Sequence, residues 1–202
     1  MLEEKKIKLC FIGNPNVGKS TLINRLLNSN DLQISEYPGT TKKIIEKKLI
    51  CNETKFIFLD TAGVYKKKDF NFNLLIKATR YSEMIILILD STIDKLDKIH
   101  KKLAAHTIKT GKGLIIIFNK WDLIENKKNK KKELEKIVKS SLPQFDEKKI
   151  LFISALRDEE FEKIIKYSIE IKRLLKTTMS TSKLNKWLRE TIKHNPPIRI
   201  RG

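Results

Sequence analysis

The chain has 202 residues, with 43 Lys and Arg against 24 Asp and Glu, so its formal net charge is +19. This length suits one domain with a small appendage and is enough to bury a full core. The lack of a long apolar run argues against a membrane-spanning helix, and two cysteines and three scattered histidines argue against a disulfide scaffold or a Cys/His metal cluster.

Cys10 and Cys51 lie in apolar runs and read as small buried hydrophobes in a reducing compartment. No signal peptide opens the chain, so the expected setting is the cytoplasm. The positive charge implies attraction to a polyanion, with nucleic acid the first candidate. Yet only 7 of the 43 basic residues are Arg, the side chain suited to bidentate phosphate contacts. The lysines therefore fit a solvated surface equally well.

The apolar run Ile7 to Ile12 reads as a parallel strand covered on both faces. A helix is expected from about Lys19 to Asn28, then a loop over 29–42 containing Pro38-Gly39. Lys43 to Cys51 and Lys55 to Asp60 read as two strands joined by a turn at Asn52-Glu53. The segment Thr61 to Tyr81 starts as a polar loop and becomes helical, and Met84 to Asp90 is the next strand. Asp94 to Thr110 is expected to be helical and to stop at Gly111, a suitable residue just past a helix end.

Leu114 to Asn119 is another strand, followed by a helix that opens with the lysine-rich stretch Lys127 to Lys132 and ends near Pro143. Ile150 to Ser154 is the last strand. Asp158 to Lys176 is a helix with Phe161, Ile164, Ile165 and Ile169 on one stripe. Alternating strands and helices imply an α/β fold: a doubly wound, mostly parallel six-stranded sheet with one antiparallel edge. A separate helix from Ser182 to about His194 carries Leu184, Trp187, Leu188 and Ile192 as its apolar stripe.

Between the first strand and helix stands Gly13-Asn14-Pro15-Asn16-Val17-Gly18-Lys19-Ser20, followed by Thr21. Strand, G-x-x-x-x-G-K-S, helix is the context of a phosphate-binding loop. Its glycines let successive backbone N–H groups face one concavity, and the helix start adds unpaired amides and a positive dipole end. Lys19 would reach the β- and γ-phosphates and the Ser20 hydroxyl would ligate Mg²⁺. Asp60-Thr61-Ala62-Gly63 closes a strand, placing Asp60 to hold Mg²⁺ and the Gly63 N–H to sense a γ-phosphate. Asn119-Lys120-Trp121-Asp122 follows another strand; a carboxylate there can accept from guanine N1–H and N2–H₂, which adenine cannot offer. Ser154-Ala155-Leu156, after the last strand, would close over the base with a backbone amide.

In this order the motifs resemble the translation-factor class of GTPases, and within it the Era/TrmE/Der group. The resemblance implies that Gly39-Thr40-Thr41 is the switch I element, with Thr41 reaching Mg²⁺. Lys19, Thr41 and Gly63 become the catalytic set, and Ser20, Thr41 and Asp60 the Mg²⁺ set. Val64 stands where Ras-like proteins carry a water-orienting Gln. It also implies a potassium ion held by Asn16, with Ser35, Tyr37 and Thr40 at the matching switch I positions.

Asn119 to Leu123 and the stretch Met179 to Pro197 look like the second G domain of the Der (EngA) family and its joint to a KH-like domain. This implies a G domain over 1–176 and, over 177–202, a linker with the start of a KH-like domain. The implied protein uses GTP and GDP with Mg²⁺ and K⁺ as a switch in ribosome biogenesis. Its implied partner is the large subunit or its RNA, with no membrane, no DNA and a monomeric state.

The departures are a single G domain, Lys42-Lys43 after Gly-Thr-Thr in place of Arg-Asp, and a shortened switch II with Lys66-Lys67-Lys68. Arg157-Asp158-Glu159 also replaces a glycine-bearing turn. Two rivals follow: a reduced remnant that holds guanine nucleotide or RNA without useful turnover, and a tRNA-modification GTPase like TrmE. The second lacks a modification domain.

Overall fold

Long apolar runs separated by amphipathic segments leave one economical arrangement, a sheet covered by helices on both faces. The computed structural model describes residues 6–27, 35–36, 45–51, 53–60, 72–157, 161–177 and 180–194. In chain order the strands and helices are β1 (Lys6–Ile12), α1 (Lys19–Leu27), β2 (Ser35–Glu36), β3 (Ile45–Cys51), β4 (Thr54–Asp60), α2 (Phe72–Thr79), β5 (Met84–Asp90) and α3 (Lys98–Lys109). They continue with β6 (Gly113–Asn119), α4 (Lys127–Ser141), β7 (Ile150–Phe152), α5 (Phe161–Leu175) and α6 (Thr181–His194).

The sheet order is β2-β3-β4-β1-β5-β6-β7. Strands β4, β1, β5, β6 and β7 are parallel neighbours, and β3 and β2 add an antiparallel edge. All six expected strands form, and the loop expected over 29–42 contributes a seventh of two residues, Ser35–Glu36. So short a strand has no apolar alternation to betray it, since it is defined by its pairing with β3. The β3–β4 turn carries Glu53 in the left-handed region, φ 58°.

The period-two alternation of the strands divides the core in two. On one face Cys10, Ile12, Leu87, Ile116 and Phe118 meet Leu75 and Ala78 of α2, Leu103 and Ala104 of α3, and Leu134 and Val138 of α4. On the other, Leu9, Phe11, Phe58, Ile86 and Ile117 meet Leu22, Ile23 and Leu26 of α1 and Ile164 and Ile171 of α5. Each fully buried Leu, Ile or Phe contributes about 1.5–3 kcal/mol. A surface ion pair contributes about 0–1 kcal/mol, so the two apolar layers set the stability. Burial also pushes the Cys10 thiol up to about 12, which keeps it neutral and unreactive.

Three expected boundaries and faces shift. Helix α3 starts at Lys98 rather than near Asp94, because Asp97 is extended (φ −63°, ψ 151°) and turns toward the loop after β1. Strand β7 is shorter than Ile150 to Ser154, ending at Phe152, though the Ile153 amide still donates to the Phe118 carbonyl at 2.9 Å. On α5 the buried stripe is Ile164, Ser168 and Ile171, while Ile169 is 37% exposed. Ser168 is tolerated there because its hydroxyl donates to the Ile164 carbonyl at 2.7 Å.

Helix α6 buries no residue, and Trp187 is 56% exposed with Leu184, Leu188 and Ile192 nearly as open.

Candidate functional site

Parallel strands deliver their loops to one edge of the sheet, and the register aligns Phe11 with Asp60 and Asp90 with Asn119 at that edge. Loops 13–18, 120–123 and 153–157 meet there. They enclose a cavity of about 230 Å³ bounded by Asn16, Gly18, Thr21, Lys120, Asp122 and Leu156.

The loop after β1 curls because Asn16 (φ 64°) and Gly18 (φ 92°) are left-handed. A Cβ on Gly13 would stand 2.2 Å from the Ile88 carbonyl oxygen, a backbone atom of β5 that cannot yield. One on Gly18 would stand 2.2 Å from the Asn119 side-chain amide, in a conformation that disfavours any side chain. Lys19 opens α1 and bends back across the loop. Its ammonium donates to the Gly13 carbonyl at 2.9 Å and the Asn14 carbonyl at 2.8 Å. Burial lowers the Lys19 pKa, and the negative charge of Asp60 at the end of β4 works against that shift. A buried cation thus faces the mouth of the loop, with the exposed Ser20 and Thr21 beside it on the first turn of α1. Pro15 and Val17 shape the loop's outer turn and its buried anchor.

Asn14 ties the loop outward, its side-chain amide donating to the Asp97 carboxylate at 3.0 Å. That same carboxylate stands 3.7 Å from Nδ1 of the buried His100, whose pKa is lowered by burial.

At the other end of the cavity, buried Asn119 lines the wall and bonds to two other loops. Its Nδ2 donates to the Val17 carbonyl at 2.7 Å and its Oδ1 accepts from the Ala155 amide at 2.8 Å. Asn119 thereby braces three loops together. Trp121 is turned away from the cavity: it is buried, its amide donates to Ile153 at 3.0 Å, and its indole packs on Phe152 at 4.7 Å. Lys120 is left-handed (φ 64°) and its ammonium lies 2.7 Å from the Asp90 carboxylate.

Asp122 is left to face the cavity, on the 3₁₀ turn Trp121–Leu123. The buried Ser154 hydroxyl beside it, as a hydrogen-bonding neighbour, holds the carboxyl below its usual range. Burial opposes that effect, and the positive charges of Arg157 and Lys127 reinforce it. The third loop, with Ala155 and Leu156, is fixed to α1 by Arg25, whose guanidinium donates to the Leu156 carbonyl at 2.8 Å.

The expected residues Gly13 to Thr21, Asp60, Asn119 to Asp122 and Ser154 to Leu156 are therefore brought to one edge of the sheet, with Trp121 packed into protein and Asn119 tying two loops from the cavity wall. Tyr37, Thr40, Thr41, Thr61, Ala62, Gly63 and Val64 lie outside the described residues, and Ser35 is described in its backbone alone. Asp90, Arg25 and Asp97 support the site and lie outside the motifs. Asp90 closes a strand just as Asp60 does, but its partner is visible only once β5 and β6 are known to be neighbours.

Among the described residues no group of three His, Cys, Asp or Glu side chains could hold a metal unaided. The oxygens near the loop, from Ser20 and Asp60, are hard donors. They suit a cation such as Mg²⁺, which takes one or two protein ligands and completes its shell with phosphate oxygens and water.

The GTPase Der of Natranaerobius thermophilus is 34% identical to this chain over 206 residues, covering 98% of the chain and 47% of that protein. The chain thus spans about half the length of the curated relatives it matches. Among solved structures, Era of Aquifex aeolicus bound to GDP and AlF₄⁻ superposes with a TM-score of 0.60 at 26% identity, covering 87% of this chain and 58% of that one. Era in complex with MgGDPNP and a piece of 16S ribosomal RNA gives 0.62 at 29% identity, covering 84% and 57%. These neighbours share the doubly wound sheet expected from the alternating strands and helices. A family model described as 50S ribosome-binding GTPase matches residues 8–120, more than half of the chain. On that match, and with the loop geometry above, the chain belongs to the 50S ribosome-binding GTPase family.

Proposed function

We propose that this chain binds GTP and GDP with Mg²⁺, hydrolyses GTP to GDP and phosphate, and serves as a nucleotide-dependent switch in large-subunit assembly. The observation that carries the reading is one cavity at the edge of the sheet. The Lys19 loop stands at one end and the ionised Asp122 at the other, linked by Asn119. Guanine offers two adjacent donors to a carboxylate and adenine does not, so base selection follows from Asp122.

In this reading Lys19 and the amides of 13–18 neutralise the β- and γ-phosphates, and Gly63 and Thr41 respond to the γ-phosphate. Ser20, Thr41 and Asp60 hold Mg²⁺, which supplies charge neutralisation at the phosphates. Asn16, with backbone groups of Ser35, Tyr37 and Thr40, holds a K⁺ ion that adds a further positive charge there. Catalysis then rests on positioning and electrostatics, with water as nucleophile. The G domain spans 1–176, and 177–202 forms a linker and the start of a KH-like domain. The unburied apolar stripe of α6 supports that division. A monomer acting in the cytoplasm completes the reading.

Single-turnover hydrolysis of GTP, with K⁺ exchanged for Na⁺ at fixed ionic strength, tests the chemistry. We expect a slow intrinsic rate in Na⁺, on the order of 10⁻⁴–10⁻³ s⁻¹ given the apolar Val64. K⁺ should raise it, and Asn16→Ala should abolish the rise while GDP binding survives. Equal rates in both salts would remove K⁺ from the mechanism. Tight GDP binding with no turnover in either salt would leave a reduced binding module.

The ribosomal partner is expected on the α3–α4 face. Lys98, Lys101 and Lys102 on α3 and Lys127, Lys128, Lys131 and Lys132 on α4 are exposed, and the two helices cover the same face of the sheet. Era provides the precedent in its complex with 16S ribosomal RNA. Binding to large subunits should weaken with salt at a log–log slope of about −0.7 to −0.9 per phosphate contacted. Replacing Lys127, Lys128, Lys131 and Lys132 by Ser should make that slope shallower by several units. Pelleting with subunits against a polyanion competitor measures it. Loss of all binding to the competitor would reduce the lysines to a solvated surface.

A further inference from the structure

Asp90 belongs to none of the motifs above, yet it touches one of them. It ends β5 directly beside Asn119 in register. Its carboxylate is filled: Oδ1 accepts the Thr92 amide at 3.0 Å and the Thr92 hydroxyl at 2.8 Å, and Oδ2 lies 2.7 Å from the Lys120 ammonium. The pair is partly buried, with side-chain exposures of 35% for Lys120 and 21% for Asp90. Burial works against the Asp90 charge, but the bonds from Lys120 and Thr92 hold its pKa below the ordinary value. Lys120 occupies the left-handed region, which residues other than glycine adopt only when their surroundings impose it. Two residues on, the same turn presents Asp122 to the cavity that Lys120 also lines.

We propose that Asp90 is a positioning residue for guanine selection: by clamping the Lys120 ammonium it holds the left-handed turn that aims the Asp122 carboxylate at the base. The proposal rests on the guanine-nucleotide reading above. Two-point acceptance needs both carboxylate oxygens aligned with two donors, so a small rotation of the turn harms it more than it harms a single bond. Inosine diphosphate keeps N1–H and lacks the 2-amino group. The ratio of GDP to IDP affinity therefore reports how well Asp122 is aimed, and losses in phosphate binding or in general stability cancel out of it.

The test measures GDP, IDP and ADP affinity by displacement of a fluorescent GDP from the full chain, in wild type, Asp90→Asn, Lys120→Met and the double variant. For Asp90→Asn we expect GDP affinity to fall about tenfold, the scale of one hydrogen bond to a charged group. IDP affinity should fall much less, so the ratio shrinks. Lys120→Met should shrink it similarly, and the double variant should be no worse than either single one. Equal losses for GDP and IDP, or multiplied losses in the double variant, overturn the proposal while leaving the guanine reading intact. A wild type that binds ADP as well as GDP overturns both. If Asp90→Asn does not fold, Lys120→Met decides alone, and an unchanged ratio overturns the proposal.

Discussion

Asp122→Asn is expected to swing relative affinity from guanine toward xanthine nucleotides by about two to three orders of magnitude. A carboxylate is an acceptor at both oxygens, and its depressed pKa keeps it so at neutral pH. The carboxamide has one acceptor and one donor. Its NH₂ opposes the guanine 2-amino group, donor against donor, but matches the C2 oxygen of xanthine. Each shielded polar group left unpaired costs about 1–3 kcal/mol, and the substitution harms one ligand while helping the other. The swing is thus the sum of two such terms. Competition of GDP, XDP and ADP for a fluorescent GDP measures it. An unchanged GDP-to-XDP ratio would mean that Asp122 does not read the base.

Asn119→Ala is expected to damage the site in another way, lowering stability by about 2–4 kcal/mol and GDP affinity by about a hundredfold. The wild-type amide serves the Val17 carbonyl and the Ala155 amide at once. Alanine leaves both buried groups without that partner and frees the phosphate loop from the loop over the base. Asn119→Asp should be no better, since it keeps an acceptor for Ala155 but sets a second oxygen against the Val17 carbonyl. Urea unfolding with GDP dissociation rates separates the two effects. Selectivity for guanine over xanthine should survive Asn119→Ala, unlike Asp122→Asn. A stability loss under about 1 kcal/mol with unchanged dissociation would show that the loops hold without the brace.

Much of this was legible in the chain because strong local signals agreed. Ile85 to Leu89 and Leu114 to Phe118 are too continuously apolar to be anything but covered strands, and both are fully sequestered. The run Gly13 to Ser20 carries its geometry in its glycines, and Gly13 and Gly18 are the positions where a Cβ would collide. What stayed hidden depends on neighbours. Strand β2 exists through two backbone pairings with β3. The turn of Asp97 away from α3 depends on Asn14, 83 positions earlier. Asn119 and Trp121 sit inside a base-recognition motif, yet Trp121 packs into protein and Asn119 ties two loops from the cavity wall, and no spacing rule distinguishes a brace from a reader. Asp90 needed the β5–β6 adjacency before its carboxylate meant anything.

The cavity's walls are far apart along the chain. Asn119 reaches back 102 positions to Val17 and forward 36 to Ala155. During synthesis the phosphate loop emerges early, but the last wall arrives only after β7 has been made. Because the loop itself leans on Asn119, the grip on a ligand comes late, as a property of the finished fold. Linkage then runs backwards. A ligand that binds only the native state at a thousand times its dissociation constant stabilises that state by about 4 kcal/mol, a large share of what holds a domain together. The cell's guanine nucleotide supply would then fasten the three loops, and a starved cell would hold a looser protein as well as an empty one.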